Sequence, residues 1–216
     1  SKWGAHDHVV FVRLFQDIKT SNGKFLKVIF TLSSHEPYEV PMPKRFKGNS
    51  EETGFFNSAY YTDSCLFYFI NQCKTLKSWE NTLFVLVADH GNRHPGNLVF
   101  YSPEKFQIPL LFVGGALQCH DTVIHSTCCQ TDIAANILSQ MNLTHSKYLF
   151  SQGIFDDKTN KTAFYCFNNG FGTIRGNEKA IFDLTTEKPI SGNSNDSATL
   201  VGKAFYQEMM QNFKKL

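Results

Sequence analysis

The chain has 216 residues, 42% of them hydrophobic and 19% charged, enough for one domain with a sizeable core or for a large part of a bigger protein. Its net charge of +2 is scattered, which argues against nucleic acid or an anionic membrane surface as a partner. No apolar run reaches the length of a membrane span, and no signal peptide opens the chain.

The first residues, Ser1-Lys2-Trp3-Gly4, lack an initiating Met and read as the start of an excised segment. Asp7 is expected to cap a helix rather than to join His6 and His8 as a ligand cluster. Val10, Phe11, Leu14, Phe15 and Ile18 recur at helical spacing and predict that helix over Val9–Lys19. After a turn at Ser21-Asn22-Gly23, Lys27–Leu32 reads as a buried strand emptying into Ser33-Ser34-His35-Glu36-Pro37-Tyr38. His35 thus stands at a strand exit, either as a structural loop histidine or as a contact for an anionic substrate. Pro37–Lys47 is a proline-rich, basic loop. Glu51–Lys77 is the longest predicted helix, with Phe55, Phe56, Ala59, Tyr60, Leu66, Phe67 and Ile70 as its apolar face. Strand, helix and strand from Lys27 to Ala88 form a βαβ unit with a right-handed crossover.

Leu83–Ala88 is unbroken apolar sequence, as expected of a strand buried on both faces of a parallel sheet, and it stops at Asp89-His90-Gly91. Ligands of open α/β sheets gather beyond the carboxyl ends of strands. A carboxylate beside an imidazole there can hold a divalent cation such as Zn²⁺ or Mn²⁺, and the glycine lets the chain turn closely. The plainer alternative makes Asp89 a turn cap and His90 a loop histidine. In the following loop, Arg93 is either a clamp for phosphate or sulfate oxygens or a solvated charge.

Ile108–Val113 is a third strand, closed by Gly114-Gly115. Gln118–Cys129 holds Cys119, His120, Asp121, His125, Cys128 and Cys129 at spacings that fit no standard zinc knuckle, and it reads as a loop. The six cysteines leave the redox compartment open. Gln130–Met141 is a helix with Ile133, Ala134, Ile137 and Leu138 on one face. Farther on, Ala163–Phe167 and Phe171–Ile174 flank an Asn-Gly turn as a hairpin, Ala180–Leu184 is a strand, and Leu200–Phe213 is a closing helix. Asn142, Asn160 and Asn195 begin glycosylation sequons.

These pieces together resemble the C-terminal half of the catalytic domain of the lipoteichoic-acid-synthase-like phosphoglycerol transferases, in the alkaline phosphatase and sulfatase superfamily. Trp3-Gly4 before an Asp and an amphipathic helix, Ser33-Ser34-His35-Glu36-Pro37-Tyr38, Tyr61-Thr62-Asp63, Asn81 to Gly91, Pro109-Leu110-Leu111 and Gln130-Thr131-Asp132-Ile133 follow in that family's order. Phe167 to Gly172 is similar to the carboxyl end of a Bacteroidetes-type member.

The resemblance implies an α/β fold with a mostly parallel central sheet flanked by helices, a C-terminal hairpin and a closing helix. Residues 1–160 would belong to the catalytic domain, and residues 161–216 would pack on it. It implies that Asp89 and His90 ligate one divalent metal, Mn²⁺ or Zn²⁺, with Ca²⁺ and Mg²⁺ as alternatives. His35 would be catalytic and would contact the phosphate or its leaving group, with Arg93 and His94 as further substrate-binding residues. An acidic ligand and a Thr or Ser nucleophile would lie in an N-terminal half that the chain does not contain, so this portion alone is expected to be inactive. The implied substrate is a lipid- or glycan-linked phosphodiester or sulfate ester, and the implied setting is extracytoplasmic and membrane-anchored. Sulfate-ester hydrolysis, phosphoethanolamine transfer and a non-catalytic binding module are the alternatives. The sulfatase signature Cys/Ser-x-Pro-x-Arg is absent, since Pro41 stands in the nucleophile position of Pro41-Met42-Pro43-Lys44-Arg45.

Overall fold

The computed structural model describes residues 4–119, 121–155 and 161–215, so Trp3, His120 and Asn160 lie outside the described residues. The fold is α/β and divides into two units, Ser1–Leu86 with Leu111–His120 and Val87–Leu110 with Asp121–Leu216.

The first unit is built on α1 (Asp7–Lys19) and α2 (Glu51–Cys73). Ser50 caps α2, its Oγ accepting the Thr53 N–H at 3.1 Å and so satisfying an amide that has no partner within the helix. Tyr61, Cys65, Phe69 and Cys73 recur every fourth residue and make one stripe of α2. That stripe buries against Phe11 and Ile18 of α1, with the Phe11 and Phe69 rings stacked at 5.0 Å. This corrects the face expected from sequence: Tyr60 is exposed and Phe67 is 62% exposed, while the expected Leu66 and Ile70 only flank the core. Aromatic residues surround α2, so periodicity there does not single out one face, and packing against α1 makes the choice.

The strand expected over Lys27–Leu32 is absent among the described residues. Leu26, Val28 and Phe30 are exposed, and Ile29 packs against the core. A strand is made by its ladder, and this segment has no paired neighbour there, so the βαβ unit expected from Lys27 to Ala88 does not form. A short 3₁₀ turn (Lys77–Asn81) leads into β1 (Phe84–Val87), which pairs with β2 (Leu110–Val113) in a two-stranded sheet. β1 is half-buried, with Val87 exposed, rather than covered on both faces as expected.

The second unit contains α3 (Pro103–Phe106), α4 (Asp132–Gln140) and a four-stranded sheet of β3 (Thr162–Phe167), β4 (Gly170–Arg175), β5 (Glu178–Asp183) and β6 (Lys188–Ser191). Every pairing in that sheet is antiparallel, as the expected hairpin requires, and the mostly parallel central sheet expected from the first part of the chain is not confirmed among the described residues. The connections decide the antiparallel pairing: Phe167 pairs with Gly170 and Arg175 with Glu178, and two-residue links allow only hairpins, whereas parallel neighbours need a long crossover. The first turn is Asn168-Asn169, with Asn169 at φ 61°, and Gly170 already belongs to β4.

Helix α5 (Ser197–Phe213) covers β4 and β5. Phe171 is fully buried beneath it, its ring 5.5 Å from those of Phe164 and Phe182 and 5.9 Å from that of Tyr206. The helix approaches closely because Ala198, Thr199 and Gly202 line its inner face. A Cβ on Gly202 would meet Thr173 Oγ1 and the edge of the Phe171 ring. Gly202→Ala is therefore expected to destabilise the chain by about 1–3 kcal/mol in urea unfolding, while Leu200→Ala on the exposed side of the same helix costs roughly 0.5 kcal/mol or less.

Candidate functional site

Asp89 and His90 follow β1 directly. The His90 N–H donates to Asp89 Oδ1 at 2.9 Å, and His90 Nδ1 lies 2.9 Å from the Gly91 carbonyl. A carbonyl can only accept, so Nδ1 carries the hydrogen and the neutral ring keeps its lone pair on Nε2. That Nε2 is 3.4 Å from Asp89 Oδ2. An imidazole lone pair and a carboxylate oxygen therefore sit side by side, an arrangement that a proton or a cation stabilises. Both side chains are solvent-accessible, Asp89 at 49% and His90 at 72%.

The turn needs its glycine, because a Cβ on Gly91 would run into the Lys105 carbonyl oxygen. Downstream, the Arg93 carbonyl accepts from Leu98 N–H at 3.0 Å and the His94 N–H donates to Asn92 Oδ1 at 2.9 Å, which closes the loop carrying both residues. Among the described residues no group of three His, Cys, Asp or Glu side chains gathers, so Asp89 and His90 present two donors where a zinc-like ion takes about four.

Sequence reasoning missed the residues that hold this turn from outside. The Gln130 amide donates to the Ala88 carbonyl at 2.5 Å and to the Asp89 carbonyl at 2.9 Å, so it fixes the backbone at the strand exit. Two residues on, Asp132 is a buried carboxylate accepting from Cys129 N–H at 2.7 Å and Gln152 N–H at 2.8 Å. The thiol of Cys129 receives the Phe164 N–H at 3.1 Å, and burial pushes that thiol up to about 11. Gln130 lies 41 residues from Asp89, and no local pattern joins them; the only sequence signal was the order of the Gln-Thr-Asp-Ile segment.

His35 belongs to the first unit and is exposed, on a turn closed by His35 N–H to the Leu32 carbonyl at 3.2 Å and Tyr38 N–H to the His35 carbonyl at 2.9 Å. Its Nδ1 is 3.0 Å from the Glu36 carbonyl, so Nδ1 carries the hydrogen there as well.

Residues 1–143 match the family model described as Sulfatase. Two solved structures share the fold. A protein in the alkaline phosphatase superfamily from Vibrio parahaemolyticus is 21% identical, with a TM-score of 0.73 over 98% of this chain and 56% of that one. The lipoteichoic acid synthase LtaP from Listeria monocytogenes is 16% identical, with a TM-score of 0.68 over 97% of this chain and 60% of that one. The chain thus spans less than two thirds of the length of either structure.

Asp132 has a measurable signature. Burial is the largest influence on its carboxyl and raises its pKa, against the pull of the two amides and Lys161. A raised folded value means that this group's contribution to stability is full below about pH 4 and is lost as pH rises through the folded pKa. The unfolding free energy of the wild type, taken relative to Asp132→Asn in urea titrations, is therefore expected to fall as pH rises above about 4. A flat difference over that range would show an unperturbed carboxyl.

Proposed function

The chain belongs to the sulfatase family, and from that premise we propose that it is the C-terminal portion of a metal-dependent phosphoryl-group transferase or phosphodiesterase of the phosphoglycerol type. The observation that carries this reading is the Asp89–His90 pair beyond β1, with His90 Nδ1 committed to the Gly91 carbonyl and Nε2 turned to the carboxylate.

Asp89 and His90 would hold the divalent ion, Mn²⁺ or Zn²⁺, whose charge would offset that of the phosphate when bound. Two donors are half a site, so the remaining ligands and the Thr or Ser nucleophile would come from a further part of the catalytic domain. His35 is the proton carrier: with Nδ1–H donating to the Glu36 carbonyl, its protonated Nε2 gives a proton to the departing ester oxygen as the P–O bond breaks. The acceptor alcohol or water returns that proton to Nε2 in the second displacement. Arg93 and His94 would contact the non-bridging oxygens, Arg93 through its forked guanidinium.

The substrate would be a lipid- or glycan-linked phosphodiester met outside the cytoplasm by a membrane-anchored enzyme, a setting supported by the likeness to a lipoteichoic acid synthase. No helix among the described residues is long and apolar enough to cross a membrane, so an anchor would lie elsewhere in the protein. Sulfate-ester hydrolysis is the second reading, favoured by the family model that the chain matches.

The test is turnover of bis(p-nitrophenyl) phosphate and of p-nitrophenyl sulfate by the complete catalytic domain with Mn²⁺ or Zn²⁺. Phosphodiester turnover that falls about 100-fold or more in Asp89→Asn and His90→Gln is expected. Turnover of the sulfate ester alone would establish the second reading. The 216-residue chain by itself is expected to retain less than stoichiometric metal after desalting. Stoichiometric metal lost on Asp89→Ala would overturn the requirement for further ligands.

A further inference from the structure

One carboxylate of the first unit has no part in the chemistry above and is completely buried. Asp7, expected to cap α1, does not: His6 is the N-cap residue, and Asp7 lies inside the first turn with 0% exposure. Its Oδ1 accepts the Leu32 N–H at 3.1 Å, the Ser33 N–H at 3.1 Å and the Ser33 hydroxyl at 2.7 Å, and its Oδ2 accepts the Thr62 hydroxyl at 2.6 Å. Three of the four donors converge on Oδ1 and one reaches Oδ2, so the carboxylate is hydrogen-bonded at both oxygens. All four donors are neutral, and they come from two places, the end of the unpaired Lys27–Leu32 segment and the middle of α2.

Those two amides stand three and two residues before His35. Among the described residues no ladder holds the segment that delivers them, and the carboxylate ties down its end. On the far side of His35, the buried Tyr38 packs beside Gly54 of α2 and edge-on to Phe55 at 5.9 Å between ring centroids. Ser34 Oγ adds a contact to Thr62 Oγ1 at 3.3 Å. His35 is thus suspended between an anchor at Leu32–Ser33 and an anchor at Tyr38, and only the first depends on a charge.

We propose that Asp7 is a positioning residue for His35, acting through the Leu32 and Ser33 amides without touching substrate; the proposal rests on His35 being the proton carrier inferred above. A carboxylate suits this task because its charged oxygen accepts the Leu32 and Ser33 donors more strongly than the neutral oxygen of a carboxamide would, even with the carboxamide NH₂ donating to Thr62 Oγ1.

Two measurements test this. In the 216-residue chain, Asp7→Asn is expected to speed amide exchange at Leu32 and Ser33 about tenfold or more while the α2 amides around Phe69 keep their protection. In the complete catalytic domain, with bis(p-nitrophenyl) phosphate as probe, Asp7→Asn is expected to lower kcat about tenfold or more with KM little changed. It should cause no further loss once His35→Ala is present. Losses that multiply in the double variant, or unchanged exchange at Leu32 and Ser33, would overturn the inference. If His35→Ala costs nothing, the proton-carrier reading fails, and the exchange data alone decide whether Asp7 holds the loop. Should Asp7→Asn not fold, Thr62→Val removes one bond while keeping the carboxylate, and the same readouts apply at smaller size.

Discussion

A fully buried carboxylate surrounded only by neutral donors is costly unless it is hydrogen-bonded, and the bonds of Asp7 join its own stretch of chain to two others. It begins α1, ends the extended segment before His35, and reaches the middle of α2. The apolar stripe of Tyr61, Cys65, Phe69 and Cys73 supplies the area that holds α1 and α2 together, but area is not directional. The hydrogen bonds of Asp7 add what packing alone does not, a fixed register between the start of α1 and the Ser33–His35 turn.

The turn after β1 follows the same logic in the second unit. Asp89, His90 and Gly91 can present their donors only if the backbone stays still, and the stillness comes from carbonyls held by Gln130 and from the lack of a Cβ beside the Lys105 carbonyl. Close by in the chain, Asp132 is a buried carboxylate whose two amide bonds act against the cost of its burial. Each unit therefore uses a side chain distant in sequence to steady a turn that carries an exposed histidine. In both histidines Nδ1 is tied to a nearby carbonyl, which sets the tautomer of the neutral ring.

Much of this was legible in the chain. The helices around α1, α2, α4 and α5 follow from apolar spacing, the hairpin from its Asn-rich turn, and the Asp-His-Gly exit from an apolar run that ends abruptly. Among the readings that the structure corrects, two went astray for related reasons. Lys27–Leu32 has the composition of a strand, but composition is silent about whether a partner lies alongside. Phe67 is more apolar than Cys65 or Cys73, yet it is exposed and they are buried, because α1 approaches from the other side.

What the sequence determined by itself is whatever depends on neighbours a few residues away: helix periods, hairpin links too short for a parallel crossover, and a carboxylate and imidazole that adjacency alone brings together at a strand end. The tertiary structure decided the rest. Asp7 meets Thr62 across 55 positions and Ser33 across 26, and Gln130 meets Asp89 across 41. Such bonds leave no periodic trace, because a hydrogen bond needs only one correctly placed donor and acceptor, and placement at that range is set by how the helices pack. A buried Asp at the start of a helix looks the same in sequence as an exposed cap. Only its surroundings separate the two.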